Sequence, residues 1–326
     1  MTVGFPDQLR AAILNRPIQD IRRDLATASV EAVTGRKENL AASLGASSGE
    51  YNLVAKALKD IDSGLDRLAL AESRLTATSL PLKSIRVSVN DFATTSEFAI
   101  GNESFDLAQV SRNAREEIES VMSTLNTDYA GRNLFSGDQV GVSALPDPSA
   151  FFDAVDTALA GATDEASINA ALDAFFADGG TFDTDIYQGG DEEAASILLS
   201  NGGRVTFSVK ANDPAIKSAL EGLTRLAYAQ PDPSDDYLRG AISDIRKGES
   251  ELITLEASLG RKLNRVDSEI SALYEEQGIL KETEDRYAGV DGFEAATRLN
   301  NLELQLEAAY TVTSRISQLS LTNYIR

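Results

Sequence analysis

The most regular stretch of the chain reads LRGAISDIRKGESELITLEASLGRKLNRVDSEISALYEEQGIL and spans residues 238–280. Every seventh residue in it is apolar: Leu238, Ile245, Leu252, Leu259, Val266, Leu273 and Leu280. An α-helix turns once in about 3.6 residues, so a strict seven-residue period keeps one apolar face toward a partner helix. No Pro interrupts the run. The stretch is therefore predicted to be one long helix that packs along this face.

A second seven-residue series in the N-terminal half is the expected partner. Its apolar positions are Val54, Ile61, Leu68, Leu75, Leu82 and Val89. Pro81 lies within the series, and because Pro lacks an amide hydrogen and clashes with the preceding turn, a kink or a helix boundary is predicted there. The two series are predicted to form a helical bundle within one chain. We call the following positions the rod seam: Val54, Ile61, Leu68, Leu75, Leu252, Leu259, Val266, Leu273 and Leu280.

Shorter apolar stripes occur at both ends of the chain, at spacings typical of helices. Residues 39–50 and 288–292 are rich in small or turn-forming residues and are predicted to be linkers beside them. Isolated helices of this length are marginal in water. The stripes are therefore predicted to bind other copies of the chain, while pairing of the two terminal helices within one chain is the alternative. We call these positions the assembly stripes: Leu14, Ile18, Ile21, Leu25, Leu299, Leu302, Leu306, Ile316, Leu319 and Leu321.

The composition changes in residues 136–235, where Pro, Gly and aromatic residues concentrate. This region is predicted to hold two short helices, a β-hairpin of residues 195–199 and 204–209, and a helix that begins at Asp213-Pro214. A helix from Leu107 is predicted to precede it and to end near Gly131. The predicted fold class is mainly α: a long coiled-coil-like helical bundle, or rod, formed by the N- and C-terminal halves, with a small α+β inserted outer domain. Five parts are predicted along the chain. Residues 1–44 form an N-terminal assembly segment, 45–135 the N-terminal part of the rod, 136–235 the inserted outer domain, 236–287 the C-terminal part of the rod, and 288–326 a C-terminal assembly helix.

The composition argues against several classes of function. The chain has 326 residues, a net charge of −21, and no Cys, His or Trp. Without His and Cys it lacks the usual general base, thiolate chemistry and the commonest zinc ligands. Binding to nucleic acid requires a basic face, so the acidic balance predicts no nucleic acid partner. No catalytic residue and no cofactor is predicted.

Membrane insertion, a Sec-type signal peptide and a metal site are also not expected. No apolar run approaches the length of a membrane span or of a signal peptide core. The terminal stripes lack the Lys-rich polar face of helices that lie on membranes. Acidic clusters at residues 183–185, 191–193 and 232–236 lack the spacing of a twelve-residue calcium loop, so they are predicted to be solvated surface loops.

Four segments of the chain resemble the flagellin superfamily. Thr34-Gly35-Arg36 is similar to the turn that follows the first helix in that family. The segment YAGRNLFSG at residues 129–137 is similar to its signature before the variable insertion. At the C-terminus, EAATRL at residues 294–299 and LSLTNYIR at residues 319–326 resemble the hook-associated branch more than filament flagellin. The resemblance covers about residues 10–137 and 235–326.

The resemblance implies a structural component of the bacterial flagellum, with an expected role at the hook-filament junction, where the hook is adapted to the flagellin filament. It implies self-association in a ring or polymer through the terminal helices, and binding to flagellin and to the other hook-associated junction protein. It also implies export by the flagellar type III machinery with an export chaperone, and a location outside the cell without a Sec signal. A short flagellin and an unrelated coiled-coil adaptor or chaperone are the alternatives, with an enzyme last.

Overall fold

The computed structural model describes residues 7–100, 106–192, 196–199, 202–206 and 209–324, with side chains described between residues 16 and 315 of those ranges. Long helices dominate this part of the chain, and its strands form two small two-stranded antiparallel sheets. The predicted fold class, mainly α with a small α+β region, is confirmed. By their contacts the residues group into two compact units: residues 1–63 with 273–326, and residues 64–272.

The helices and strands follow one another along the chain in this order: α1 Asp7–Thr34, α2 Leu40–Leu44, α3 Ser48–Ile100, α4 Leu107–Leu125, β1 Asp128–Tyr129, β2 Arg132–Asn133, α5 Pro148–Leu159, α6 Glu165–Phe176, β3 Ser196–Leu198, β4 Arg204–Thr206, α7 Pro214–Ala227, α8 Asp235–Ala288 and α9 Gly292–Tyr324. A short 3-10 helix, Gly45–Ser47, precedes α3, and a π-helical turn, Phe182–Ile186, follows α6. Asp side chains cap the N-termini of α4, α5, α6 and α7 by accepting backbone N–H groups.

In the unit of residues 64–272, α3 and α8 lie side by side and run antiparallel. Arg86 Nε donates to Glu256 Oε1 over 2.9 Å, and Arg246 donates to Asn90 Oδ1 over 2.8 Å and to Thr94 Oγ1 over 3.0 Å. Higher numbers on one helix therefore meet lower numbers on the other. The rod seam is buried here as the seven-residue period predicts: Leu68, Leu75, Leu252, Leu259 and Val266 are at most 3% exposed. Ile61, in the other unit, is 6% exposed, while Val54, Leu273 and Leu280 are half-buried.

Two glycines allow α7 to approach α8 closely. A Cβ atom added to Gly222 would lie 2.6 Å from the backbone nitrogen of Ile245, and one added to Gly248 would lie 2.5 Å from that of Ala219. α7 also packs against α4 and α6, so one helix joins the inserted region to the long helices. A cluster of edge-to-face aromatic rings around Phe151 fills the core between α5, α6 and the π-helical turn.

The structure corrects three predictions from the sequence. α3 runs through Pro81, so the predicted alternative of a helix boundary there is wrong. α4 ends at Leu125 and not near Gly131, because residues 128–133 form the hairpin β1–β2, whose turn places Gly131 at φ +74°. The predicted linker at residues 39–50 contains α2 and the first residues of α3. The predicted hairpin strands are confirmed at residues 196–198 and 204–206, and the rest of those two segments lies partly outside the described residues.

Candidate functional site

The candidate site is the pair of terminal helices in the unit of residues 1–63 and 273–326. α1 and α9 pack against each other along much of their length. The guanidinium of Arg22 lies 5.6 Å from the ring centre of Tyr310, and Arg298 Nη1 lies 3.5 Å from Glu31 Oε2. These two contacts show that the helices run antiparallel. The chain therefore pairs its own two ends, which is the alternative that the sequence left open.

The described members of the assembly stripes are buried or half-buried in this pair. Ile18 is buried at 9% exposure, and Ala28 and Ala295 are more deeply buried beside the stripes. The half-buried members are Ile21, Leu25, Leu299, Leu302 and Leu306. The side chains of Leu14, Ile316, Leu319 and Leu321 lie outside the described residues. The pair thus uses much of the predicted stripe within one chain.

Another row of apolar side chains in α9 remains open to solvent, and the sequence analysis did not single it out. Phe293 is 84% exposed, Leu304 65% and Val312 54%. Phe293 and Leu304 are eleven residues apart, which corresponds to almost the same direction around a helix. These exposed side chains are available for contact with another protein surface. The sequence could have indicated these exposed side chains, because Phe293, Leu304 and Val312 are apolar residues of α9 outside its assembly stripe.

A short β-bridge joins the two segments that connect the terminal helices to the long helices. Arg36 and Gly289 pair in antiparallel fashion. The Lys37 amide donates to the Ala288 carbonyl, and the Val290 amide donates to the Gly35 carbonyl, both over 2.9 Å. Gly35 has φ +68°, a left-handed conformation that favours glycine, and it ends α1 within the Thr34-Gly35-Arg36 motif noted in the sequence.

Ion pairs and tyrosine hydroxyls reinforce the bridge. The guanidinium of Arg36 lies 3.3 Å from Glu284 and 3.2 Å from Asp285, near the end of α8. The hydrogen bond to Asp285, followed by the charge of Glu284, raises the pKa of Arg36. Tyr51 at the start of α3 donates to Glu284 over 3.2 Å, and burial together with the Glu284 charge raises the pKa of this tyrosine. The connecting segments are therefore fixed to the ends of both long helices.

The arrangement of the terminal helices offers surfaces for association. Among the residues that the structure describes, no group of three or more Asp and Glu side chains is placed to hold a metal ion. Of the acidic clusters in the sequence, residue 193 lies outside the described residues, and Asp183 instead pairs with Lys217 at 3.1 Å. None of the described helices is long and apolar enough to cross a membrane.

Part of this chain is similar to known flagellar proteins. The family model of the bacterial flagellin C-terminal helical region matches residues 242–325, which include most of α8 and α9. Curated protein sequences gave no match. A crystal structure of Bacillus cereus FlgL is similar in fold, with a TM-score of 0.51 and 15% sequence identity, over 72% of this chain and 98% of that one.

A second solved structure has the same fold. It is a putative flagellar hook-associated protein from Vibrio parahaemolyticus, with a TM-score of 0.53 and 12% identity, over 74% of this chain and 97% of that one. At such low identity the two structures establish the fold alone. The matched family and both structures are of flagellar structural proteins and not of enzymes. The resemblance noted in the sequence is thereby supported: residues 242–325 match the bacterial flagellin C-terminal helical region, and the chain has the fold of FlgL.

Proposed function

We propose that this protein is a structural subunit of the bacterial flagellum and that it acts at the hook-filament junction. The observation that carries the proposal is the antiparallel pair of α1 and α9, which continues from two long helices through a bridged connection. α9 lies within the region that matches the flagellin C-terminal family. The two structures of similar fold, FlgL and a putative hook-associated protein, favour a hook-associated role over that of a filament subunit.

In this proposal, copies of the chain associate through the outer faces of the terminal pair. The exposed row of Phe293, Leu304 and Val312 supplies the apolar area that a neighbouring copy covers. Complete burial of one such side chain stabilises association by about 1.5–3 kcal/mol. A ring repeats each contact at every subunit, so a few contacts per copy offset the entropy of ordering the chain ends. The assembly stripes hold each pair together, and their exposed edges add to the contact with the neighbour.

The neighbours proposed for such a ring are flagellin on one side and the other hook-associated junction protein on the other. Export by the flagellar type III machinery, with an export chaperone, belongs to the same proposal, as does a location outside the cell in the flagellum. The rod seam positions are proposed to keep each subunit rigid, since most of them are buried. No catalytic step is proposed for any part of the chain.

A short flagellin is the second candidate function. The matched family model describes the C-terminal helical region of flagellin itself, and this observation favours it. A flagellin would form the whole filament, whereas a junction protein would be present only at its base. The two functions therefore predict different phenotypes when the protein is missing.

The proposal is tested by deleting the gene in its host and imaging the cells by electron microscopy, with flagellin in the medium measured by immunoblot. A junction protein predicts hooks without filaments and flagellin shed into the medium, both reversed by a plasmid copy. If it is instead a filament subunit, the deletion shortens or removes filaments without an increase in shed flagellin. Normal filaments with a normal junction contradict both functions.

A further inference from the structure

Three helices of the unit of residues 64–272 meet at Arg225 of α7. Its guanidinium contacts Asp173 of α6, Asp244 of α8 and, over 2.7 Å, Glu221 one turn earlier on α7. The Arg225 side chain is only 14% exposed, so these contacts are largely shielded from water. If all three carboxylates were ionised, their three negative charges and one positive charge would leave a net charge of −2. Like charges repel strongly where water is scarce, so the cluster favours uptake of a proton.

Glu221 is the member of the cluster that takes up this proton. Its side chain is 22% exposed, the least of the three carboxylates. Burial of Glu221, followed by its hydrogen bond with Asp173, raises its pKa to about 7. The chain has no His, the residue whose ordinary pKa lies near that value. A protonated Glu221 can donate its O–H to Asp173 while it accepts a hydrogen bond from Arg225.

Other charged and polar groups around the cluster have contacts of their own. Among the described residues, the charges that act on Glu221 are those of Asp173, Arg225 and Asp244. Tyr237 of α8 donates its hydroxyl to the Arg225 carbonyl over 2.9 Å. α4 also packs against α7, and its nearest listed cation to this end of α7 lies over aromatic rings. The other cations of α7 and the first half of α8 each have an acidic partner: Lys217, Arg239, Arg246 and Lys247.

Loss of the proton changes the situation of Asp173. An ionised Glu221 has no O–H to donate, and its charge repels that of Asp173. The Asp173 side chain is 62% exposed, so water can solvate its carboxylate with the least rearrangement of the three. Arg225 keeps Glu221 and Asp244 as partners when Asp173 leaves. The contact through which Arg225 joins α6 to α8 is then broken.

Two further attachments keep α6 from leaving altogether. At its start, Glu165 accepts the backbone N–H and the hydroxyl of Ser234, just before α8. Beyond its end, the buried Lys217 pairs with Asp178 over 2.9 Å and with Asp183 over 3.1 Å. Loss of the contact with Arg225 therefore loosens the part of α6 around Asp173 and does not detach the helix.

We propose that Arg225 and its three carboxylates form a proton-dependent clasp, which holds α6 of the inserted region against α7 and α8 and loosens when Glu221 ionises. The closed clasp binds the proton more tightly than the open one. The ratio of open to closed clasp should therefore rise as the pH rises from about 4.5 towards about 7, and change little above that. The clasp belongs to the folded chain itself and does not depend on a role at the hook-filament junction.

Spin labels can follow the distance between α6 and α8, because the natural chain has no Cys. Ala170→Cys and Ser243→Cys replace exposed residues of the two helices in the full-length chain. Pulsed electron paramagnetic resonance then measures the distribution of distances between the labels, with unlabelled chain in excess to suppress distances between copies. The distribution should be narrow at pH 5 and roughly twice as wide at pH 8. The same distribution at both pH values would overturn the proposal.

Conservative variants separate the clasp from a general effect of pH. In the labelled chain, Glu221→Gln carries an amide that can donate to Asp173 at any pH, so the distribution should stay narrow at pH 8. Asp173→Asn should do the same, because its amide can donate to an ionised Glu221. Glu116→Gln, at an exposed position of α4, is the control and should widen as the natural chain does. Thermal unfolding checks that each variant is folded, and full widening in both clasp variants would refute the proposal.

Discussion

Arg36 and Gly289 pair as an antiparallel β-bridge although 253 positions separate them in the sequence, and this bridge joins the two ends of the chain. The same arginine reaches Glu284 and Asp285 with its side chain. Backbone and side chain of one residue thus hold the connection after α1 against the connection before α9. The two segments that attach the terminal helices to the long helices are therefore hydrogen-bonded to each other and are not independent linkers.

Replacement of Gly289 tests this connection. A Cβ atom at Gly289 would lie 2.4 Å from the Asp285 carbonyl oxygen, whereas one at Gly292 would meet nothing within 4 Å. Gly289→Ala should therefore displace the bridge, and hydrogen exchange of the Lys37 and Val290 amides should accelerate by roughly tenfold, which corresponds to about 1.4 kcal/mol of local stability. Gly292→Ala is the matched control. Equal exchange in the two variants would show that the bridge does not hold these segments.

The rod seam should carry much of the stability of the long helices. Leu75 is completely buried, while Leu70 on the same helix is 68% exposed. Leu75→Ala should lower the free energy of unfolding by about 2–5 kcal/mol, because it removes buried methyl groups and leaves a cavity. Leu70→Ala should change it by about 0.5 kcal/mol or less. Urea unfolding followed by circular dichroism measures both, and similar losses would argue against a seam-dominated core.

The carboxylates around Arg225, Glu221 above all, should make the stability of the fold depend on pH. The Arg225 guanidinium contacts Asp173 of α6, Glu221 of α7 and Asp244 of α8, so three carboxylates share one cation. Burial, followed by the hydrogen bond with Asp173, raises the pKa of Glu221 to about 7. A carboxyl group with a raised pKa binds its proton more tightly in the folded chain, so it stabilises the fold at low pH. That stability is lost as the pH rises from about 4.5, the unfolded value, through about 7.

Glu221→Gln should remove this pH dependence. In the natural chain the free energy of unfolding should fall by on the order of 1–3 kcal/mol between pH 5 and pH 7 as Glu221 loses its proton. The amide cannot ionise, so this fall should be absent in the variant. Urea unfolding at pH 5, 6, 7 and 8 measures the slope. Glu276→Gln, at an exposed position of α8, is the control and should leave the slope as it is in the natural chain. An unchanged slope in Glu221→Gln would refute this assignment of the proton.

The exposed row on α9 should be required for assembly but not for folding. Leu304→Glu places a charge at a side chain that is 65% exposed, so the thermal unfolding of the single chain should change little. In the proposed ring the same charge would be desolvated against a neighbour, and motility restored by this variant in the deletion strain should fall severalfold or be lost. Gln305→Glu adds the same charge at the adjacent exposed position. If cells that carry either variant swim normally, these α9 side chains are not an assembly surface.

The long helices could be predicted from the sequence because their seven-residue period covers many turns. Leu75, Leu82 and Val89 are all buried where the period places them. The prediction of a helix boundary at Pro81 was wrong, since packing on both sides of the proline holds α3 together despite the missing hydrogen bond. In a helix of this length, tertiary packing overrides the low helix propensity of a single residue. The hairpin at Tyr129 was missed because its strands are too short to show a period of two.

Clusters of side chains from distant segments lay beyond what periodicity can show. The bridge of Arg36 and Gly289 involves two turn-forming segments that were each recognised but could not be paired without coordinates. The carboxylates around Arg225 come from three helices whose packing was unknown. The pairing of α1 with α9 was foreseen only as an alternative, because an apolar stripe indicates that a helix is covered and does not identify the chain that covers it.

Immunogold labelling of isolated hook-filament complexes tests the proposed junction role most directly. A single Cys is introduced at exposed Asp185 of the inserted region, coupled to biotin, and located by electron microscopy with streptavidin-gold. The junction role predicts one narrow band of gold between the hook and the filament, and no label in complexes that contain the natural, Cys-free chain. Gold along the whole filament would identify a filament subunit, and complexes without bound gold would contradict a flagellar location.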